Sequence, residues 1–178
     1  PPPPPPPTPI FFFKQKTADD RGVRLVGSEM CIRDSIWISG RKEAAWRRAA
    51  RYGSGWLPYM YTPEMLEESN QRIAQYRSEE GNDNPVDPGL FIFFCCHEDN
   101  ATAVEYANER LSKQYNQDFS QMIDKYAIAG DPDRCVERLT EYIDAGARTI
   151  ILSAASPMNY VERAESLMAQ EVLPRYRK

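Results

Sequence analysis

The chain has 178 residues, the length of one ordinary domain, with 22 lysines and arginines against 26 aspartates and glutamates. The formal net charge of −4 excludes the basic surface that nucleic-acid binding requires. No apolar run approaches the roughly 18–20 residues of a membrane span, so we expect neither a nucleic acid nor a membrane as a partner.

The cysteine pattern limits metal and redox chemistry. The four cysteines are Cys31, Cys95, Cys96 and Cys135, and His97 is the single histidine. No C-x-x-C pair and no His/Cys cluster occurs, so we expect no metal site and no disulfide framework. This pattern fits a reducing, cytoplasmic compartment.

Residues 1–35 differ in character from the rest of the chain. They contain runs of seven prolines and three phenylalanines, followed by a charged stretch without helical or strand rhythm. A natural proline-rich tail would have this composition. However, the segments KQKTA and LVGSEMCIRDS resemble translated sequencing adapters. We therefore predict that 1–35 form a non-native or disordered tail, adapter-like over 11–35, and that 36–178 form the domain.

Strand and helix patterns alternate from residue 36 onward. Short apolar runs closed by turn residues predict strands, and apolar stripes at helical spacing predict helices. The predicted strands are 36–39, 55–61, 90–96 and 149–154. The predicted helices are 41–53, 62–81, a stripe across 104–126 that allows one break, 131–146 and a last helix that opens at Ser156-Pro157.

Two details of these elements bear on the fold. The run 90–96 is apolar on both faces, as in a central parallel strand covered by helices. The first helix is expected to turn Ala44, Ala45, Ala49 and Tyr52 inward. The alternating order predicts an α/β fold with a parallel sheet. Four βα units are about half of a (β/α)8 barrel, and a doubly wound sheet is the alternative that periodicity leaves open.

Three segments resemble the bacterial luciferase-like monooxygenase family. IWISGRKEAAWRRAARYGSGW (36–56) is similar to the family's strand, Gly-Gly-Arg turn and helix, which end in Gly-Asp-Gly-Trp. AIAGDPDRCVERLTEYIDAGARTIIL (127–152) is similar to a later family segment, and EVLPRYR (171–177) is similar to the usual family carboxyl terminus. The resemblance covers nearly all of 36–178 and is weak around 82–125.

The resemblance implies a TIM (β/α)8 barrel that binds FMN or the deazaflavin coenzyme F-420 and is often a homodimer. It implies an oxidoreductase or monooxygenase that acts on a small organic substrate with reduced flavin or deazaflavin. On this template 36–39 is the fifth strand and 149–153 the eighth. We therefore expect 36–178 to be the C-terminal half of the barrel, inactive alone, with the catalytic residues in an upstream half. If 11–35 are translated adapter, the sequencing read was truncated there, which also predicts that the upstream half of the barrel is missing.

The resemblance and local chemistry together suggest a cofactor phosphate site. Ser39 ends a strand, Gly40 allows close backbone approach, and Arg41 begins a helix whose free N–H groups favour an anion. The family binds its cofactor phosphate in this loop, although it more often has Gly where Ser39 stands. Trp56, from the Gly-Ser-Gly-Trp segment, is either a further cofactor contact or a core aromatic residue.

Several alternatives remain open at this level. The segment 152–157 is a rival anion site, because many barrels hold phosphate after their last strands. His97 follows the third predicted strand and is expected to be a strand-end polar residue, and Glu98 and Asp99 are expected to cap the next helix. No general base or nucleophile stands out. The alternative function is therefore a catalytically inactive half-barrel or interaction module, which we expect to aggregate or self-associate through its open edges.

Overall fold

The computed structural model describes residues 35–82 and 84–176, together with the backbone of Ile10–Phe13. The strands are β1 (Ile10–Phe13), β2 (Trp37–Ile38), β3 (Gly55–Trp56), β4 (Asp87–Cys96), β5 (Ala127–Gly130) and β6 (Thr149–Ala154). The helices are α1 (Glu43–Tyr52), α2 (Pro63–Glu79), α3 (Asn100–Tyr115), α4 (Ile123–Tyr126), α5 (Pro132–Asp144) and α6 (Val161–Leu167). A π-helical turn (Met168–Val172) and a 3-10 turn (Leu173–Tyr176) follow α6.

All strand pairs are parallel, in the order β1-β6-β4-β3-β2. The long strand β4 is the centre of this sheet. One edge of β4 pairs with β6, from Gly89 opposite Thr149 onward. Its other edge pairs first with β3 and then, from Phe93 opposite Ala127, with β5. The sheet with its crossover helices is the parallel α/β architecture that the alternating pattern predicts.

Strand β4 buries side chains on both faces, as its apolar sequence predicts. On the first face its even-numbered residues Leu90–Cys96 join the larger core with residues of α1, α2 and α5. On the second face Phe93 and Cys95 pack against a smaller cluster from α3 and α4, which includes Leu111. The α3–α4 pair thus covers only the carboxyl-terminal part of the second face.

Side-chain caps start three of the helices. Thr62 accepts a hydrogen bond from the Met65 N–H at the start of α2, and Asp131 accepts one from Arg134 at the start of α5. The prolines that follow these caps lie in the first turn, as expected. Asp99 caps α3 by accepting from the Thr102 N–H. The Thr62-Pro63 and Asp131-Pro132 predictions are confirmed.

A buried arginine holds the carboxyl end of α1. Arg77 on α2 is 8% exposed, and its Nη1 donates to the carbonyl oxygens of Ala50 at 2.8 Å and Gly53 at 3.0 Å. These carbonyls belong to the last turn of α1 and its cap, where no intrahelical N–H is available. Arg77 therefore fixes α1 to α2 at the end remote from the β2–α1 turn.

The structure corrects several details of the predicted elements. On α1, Ala45, Ala49 and Ala50 are buried, whereas Ala44 and Tyr52 face outward. The inward stripe is therefore shifted by one residue from the predicted one.

Strand boundaries differ as well. Strand β3 stops at Trp56, with an isolated bridge from Tyr59 to Phe91 in place of the predicted run to residue 61. Strand β5 was not predicted, because its four residues directly follow the apolar stripe that ends in α4. The last helix begins at Val161 after a turn.

Part of the amino-terminal segment joins the sheet. Ile10–Phe13 pairs in parallel with β6, which the prediction of a tail over 1–35 did not include. The rest of 1–34 lies outside the described residues, so the non-native origin of this segment stays a prediction. Within the part of the chain that the structure describes, no helix is both long and apolar enough to cross a membrane.

Candidate functional site at the carboxyl ends of the strands

The carboxyl ends of parallel strands lie at one edge of a sheet, where barrel enzymes gather their functional groups. In this chain the edge carries the turn after β2, the residues after β4 and the loop after β6. Ser39–Arg41, His97–Glu98 and Ala155–Ser156 are the segments concerned.

The β2–α1 turn brings together three of the four predicted cofactor residues. Ser39 and Arg41 are exposed, and Gly40 lies between them with φ at 152°. A Cβ atom on Gly40 would come within 2.5 Å of the Ala45 Cβ, so the turn has no room for a larger residue. The Arg41 guanidinium lies 5.9 Å from the centre of the Tyr126 ring.

The amino-terminal end of α1 differs from those of α2, α3 and α5. Its N-cap residue is Lys42, and no side chain caps the helix. The first-turn acid Glu43 accepts hydrogen bonds from Arg47 of the same helix and from the Tyr76 hydroxyl of α2. The Arg47 hydrogen bond lowers the pKa of Glu43, so this carboxylate stays ionised and partnered. The helix start thus combines uncapped N–H groups with two exposed cationic side chains.

Trp56 does not join this turn. Its side chain is fully buried in the larger core, on the first face of the sheet. The indole Nε1 donates to Ser69 Oγ on α2 at 3.2 Å, and the ring meets Tyr61 edge-on at 6.5 Å between centroids. Its surroundings are those of a core aromatic residue between the sheet and α2.

His97 lies at the end of β4 between two tyrosines. Its ring lies 4.9 Å from that of Tyr160 and meets Tyr106 edge-on at 5.7 Å. Its Nδ1 accepts a hydrogen bond from the Asp99 N–H at 2.9 Å. In the neutral imidazole, the proton is therefore on Nε2, which is left as a donor.

Glu98 has a different role from the predicted helix cap. Asp99 alone caps α3, and Glu98 forms an ion pair with Arg163 of α6. Its other oxygen accepts from the Tyr160 hydroxyl at 3.1 Å. The Arg163 hydrogen bond is the main reason that the pKa of Glu98 falls to about 2. This contact joins the end of β4 to α6 across 65 residues of sequence, so no local signal could reveal it.

The loop after β6 contains an unsatisfied polar group. The Ser156 side chain is fully buried, and among the described residues its Oγ has no hydrogen-bond partner. A buried hydroxyl without a partner is costly, and such groups concentrate at sites that accommodate a ligand or an ordered water. Ser156 belongs to the rival anion segment 152–157.

A cleft of about 400 Å³ opens on the second face between α3 and α6. Its floor is aromatic, and its walls carry one cationic and one acidic side chain. It is lined by Phe91, Phe93, Arg110, Gln114, Tyr115, Ser153, Ala154, Met158, Val161 and Glu165. Burial is the first cause of a raised pKa at Glu165. Sequence reasoning missed Arg110 and Glu165, because each looks like an ordinary polar helix residue.

A second cleft, of about 310 Å³, lies near α2 and the start of β4 and includes Arg77 among its lining residues. Among the described residues, no group of three or more His, Cys, Asp or Glu side chains is placed to hold a metal ion.

A parallel α/β sheet with an uncapped, cationic helix start at its carboxyl edge is typical of enzymes that bind phosphate-bearing cofactors. The luciferase-like monooxygenase family model matches residues 3–149. The chain therefore belongs to the luciferase-like monooxygenase family, and the resemblance drawn from its motifs is confirmed. Because the matched range begins within 1–35, the predicted boundary at residue 36 stays a prediction.

Individual relatives are distant. An F-420-dependent glucose-6-phosphate dehydrogenase from Microbacterium testaceum is 24% identical over 168 residues, which cover 80% of this chain and 48% of that protein. The F-420-dependent tetrahydromethanopterin reductase of Methanopyrus kandleri superposes with a TM-score of 0.63 at 19% identity, covering 79% of this chain and 50% of the other. The 3,6-diketocamphane monooxygenase of Pseudomonas putida, solved with FMN, has a TM-score of 0.58 at 15% identity, covering 80% and 48%.

These comparisons confirm the barrel prediction over the doubly wound alternative. The solved neighbours are TIM-barrel enzymes, and this chain adopts about half of that fold. The chain spans about half the length of the relatives that it matches. The relatives comprise F-420-dependent reductases and dehydrogenases as well as an FMN monooxygenase, which agrees with the predicted choice between these two cofactors.

Proposed function

We propose that this chain provides the cofactor-phosphate site of a luciferase-like oxidoreductase that uses FMN or F-420 on a small organic substrate. The observation that carries the proposal is the uncapped start of α1 behind Gly40 and Arg41. Family membership supports the oxidoreductase class, and relatives with both cofactors leave the choice between FMN and F-420 to experiment.

The residues of the turn fit a phosphate group. The first-turn N–H groups of α1 lack a side-chain acceptor, and the helix dipole favours negative charge there. Arg41 is exposed and can donate charge-assisted hydrogen bonds, whereas the nearby carboxylate of Glu43 is already paired with Arg47. Gly40 lets the turn pack closely against Ala45 of α1, where a Cβ atom would clash. Ser39 offers a hydroxyl at the same edge. Trp56 is part of the core between the sheet and α2, and we propose no direct contact between it and the phosphate.

Flavin or deazaflavin would supply the redox chemistry, and the residues of this chain would bind and orient it. His97 Nε2–H is a donor at the same edge of the sheet, and the aromatic cleft beside Phe91 and Phe93 is suited to an apolar substrate. We propose that catalysis also needs barrel strands equivalent to those that the relatives possess beyond the matched half. On this proposal the chain alone binds weakly and is inactive, and the complete enzyme is a cytoplasmic homodimer.

The competing anion site is the loop with Ser156. Its buried hydroxyl, which has no partner among the described residues, supports a ligand near the end of β6. The two sites are distinguished by the effect of Arg41, which would not contribute to an anion bound at Ser156.

Titration of the 178-residue chain and of a complete homologous reading frame with FMN and with F-420 tests the proposal. Arg41→Ala should weaken binding about tenfold or more, since a hydrogen bond to a charged group contributes about 1.5–3 kcal/mol. Arg51→Ala is the matched control, because Arg51 is likewise an exposed arginine beside a tyrosine ring but lies at the opposite end of α1. Absence of binding of either cofactor to both proteins, or equal losses in the two variants, would refute the proposed site.

A further inference from the structure

The cleft of about 310 Å³ between α2 and the start of β4 is lined by a buried arginine, and we call it the α2 cleft. Arg77 is 8% exposed, and no other lining residue that the structure describes is charged. Asparagine side chains and an apolar wall complete the lining. The lining residues that matter below are Trp56, Ile73, Ala74, Arg77, Asn82 and Val86.

The α2 cleft lies inside the sheet, away from its edges. Its floor includes Trp56 of β3 and Pro88 of β4, and both strands have a neighbour on each side. Helix α2 is itself flanked on both sides. Arg77 holds the end of α1, and Asn70 Nδ2 donates to the Ala145 carbonyl oxygen after α5 at 3.5 Å. The α2 cleft is therefore formed by the described elements and is separate from the aromatic cleft on the second face.

Arg77 uses only one side of its guanidinium group. Its Nη1 donates to the carbonyl oxygens of Ala49, Ala50 and Gly53, at 3.4, 2.8 and 3.0 Å. Its Nε is buried and has no hydrogen-bond partner among the described residues. None of the ion pairs in the described part of the chain involves Arg77. The Nε edge is thus a buried cationic donor without an acceptor, which is costly unless an anion meets it.

The surroundings of Arg77 combine further donors with an apolar wall. The Asn82 backbone N–H donates to the Arg77 carbonyl oxygen at 3.1 Å, which holds the loop after α2 beside the arginine. The Asn82 side-chain oxygen accepts from the Asn84 N–H, so its amide N–H groups are available as donors. Ile73 and Val86 contribute apolar surface to the same cleft.

We propose that the α2 cleft binds a small organic carboxylate. The Nε–H and the adjacent Nη2–H of an arginine form a fork that matches the two oxygens of a carboxylate. The apolar wall suits a hydrocarbon or aromatic body attached to that group. Ala74 is exposed and lines the cleft, so a ligand can enter from solvent past α2. This site is distinct from the β2–α1 turn and does not rest on the proposed function.

NMR titration of the 178-residue chain with sodium benzoate tests the proposal. The Trp56 indole and Asn82 amide signals should shift and saturate at millimolar benzoate. Benzamide has the same shape without the charge and should bind at least about tenfold more weakly, because it loses a charge-assisted hydrogen bond. Arg41→Ala should leave benzoate binding unchanged, so this result is independent of the cofactor-phosphate site.

Two phenylalanine variants locate the binding site without altering Arg77. Ala74→Phe should obstruct the α2 cleft and weaken benzoate binding by at least about tenfold, since overpacking excludes the ligand. Gln75→Phe is the matched control, because Gln75 is the next exposed residue of α2 and does not line the cleft. Arg77→Lys keeps the charge but lacks the fork and should also weaken binding. Absence of saturable binding, equal affinities for benzoate and benzamide, or equal affinities of the two phenylalanine variants would overturn the proposal.

A carboxylate of the chain itself is the competing occupant. Asp83 lies outside the described residues and is adjacent in sequence to Asn82 and Asn84. Asp83→Asn should leave the urea midpoint unchanged if the Arg77 edge is open to a ligand. A large loss of stability would assign the anionic partner of Arg77 to Asp83, because removing one member of a buried ion pair is strongly destabilising, and would refute the carboxylate site.

Discussion

The Trp37 indole lies directly against the backbone of Gly55 on the neighbouring strand, so that a Cβ atom at Gly55 would sit 2.4 Å from Trp37 Cδ2. Glycine within a strand often marks such a close approach. In this sheet the missing side chain lets a large ring lie flat across two strands. Trp37 therefore remains partly exposed without projecting from the sheet.

Gly55→Ala should destabilise the chain by about 1–3 kcal/mol, the usual cost of an overpacked site. The expected cause is displacement of the Trp37 ring, which would also shift its fluorescence. Urea unfolding of a double-mutant cycle with Trp37→Ala checks this. Because the ring is absent in that background, adding Gly55→Ala should cost much less. Additive effects of the two substitutions would show that the contact is unimportant.

Ser69→Ala should remove the acceptor of the buried Trp56 indole N–H. The Trp56 Nε1 to Ser69 Oγ distance is 3.2 Å, and both side chains are fully buried. A buried donor without a partner costs about 1–3 kcal/mol, so the free energy of unfolding should fall by that amount. Ser78→Ala, at an exposed position of the same helix, is the control and should change stability little. Equal urea midpoints for the two variants would contradict the assignment.

Asp131→Ala should be more costly than the loss of a simple helix cap. One Asp131 carboxylate oxygen accepts from the Arg134 N–H, and the other accepts from Asn100 Nδ2, each at 2.8 Å. In return, Asn100 Oδ1 accepts from the Asp131 N–H at 2.7 Å. We expect a loss above the ~1 kcal/mol typical of a cap. Asp131→Asn retains an acceptor for the helix and should lose less, and thermal melting of both variants compares them.

The Glu98–Arg163 pair should make stability depend on pH in the acid range. The folded-state pKa of Glu98 is lowered from 4.5 to about 2, so its contribution is present above pH 4.5 and is lost as the pH falls toward 2. Arg163→Met should therefore destabilise the chain at pH 7 and have little effect near pH 2. Because both side chains are about half exposed, the effect should be modest and weaker in high salt. A pH-independent difference in urea midpoint would contradict this origin.

The cysteines of the folded domain should be inert to thiol reagents. Cys95, Cys96 and Cys135 are free and fully buried. Burial raises the pKa of Cys95 to about 12, and that of Cys135 is raised by its hydrogen bond with Cys96 and by burial. A Cys31→Ser chain should show no rapid reaction with Ellman's reagent at pH 8 until urea is added, and then three reactive thiols per chain. Rapid labelling without urea would indicate that the core opens.

The sequence predicted those parts of the fold that local chemistry specifies. The Thr62 and Asp131 caps and the apolar β4 each have a signature within a few residues, and all three are present. Strand β5 was missed because a four-residue strand has too little periodicity to separate it from the helical stripe before it. The shifted stripe of α1 likewise depends on contacts with α2, which sequence spacing alone does not contain.

The candidate site also contains residues that local sequence identifies and residues that only tertiary contacts reveal. The Gly40-Arg41 turn could be located because a strand, a glycine and a helix start follow one another directly. The surroundings of Trp56 depend on Ser69, and the Glu98–Arg163 pair depends on α6, so both required the folded chain. Arg110 and Glu165 could not be distinguished from solvated helix residues before the cleft was known.

Arg77 lies outside the β2–α1 turn that we propose as the phosphate site, yet it can affect the geometry of that turn. Its guanidinium holds the carboxyl-terminal carbonyls of α1, and a ten-residue helix is a rigid rod about 15 Å long. A tilt introduced at the anchored end is carried to the opposite end as a displacement of the Arg41 backbone. Cofactor affinity should therefore depend on Arg77. A substitution at position 77 would change the orientation of the turn without changing any residue proposed to contact the cofactor.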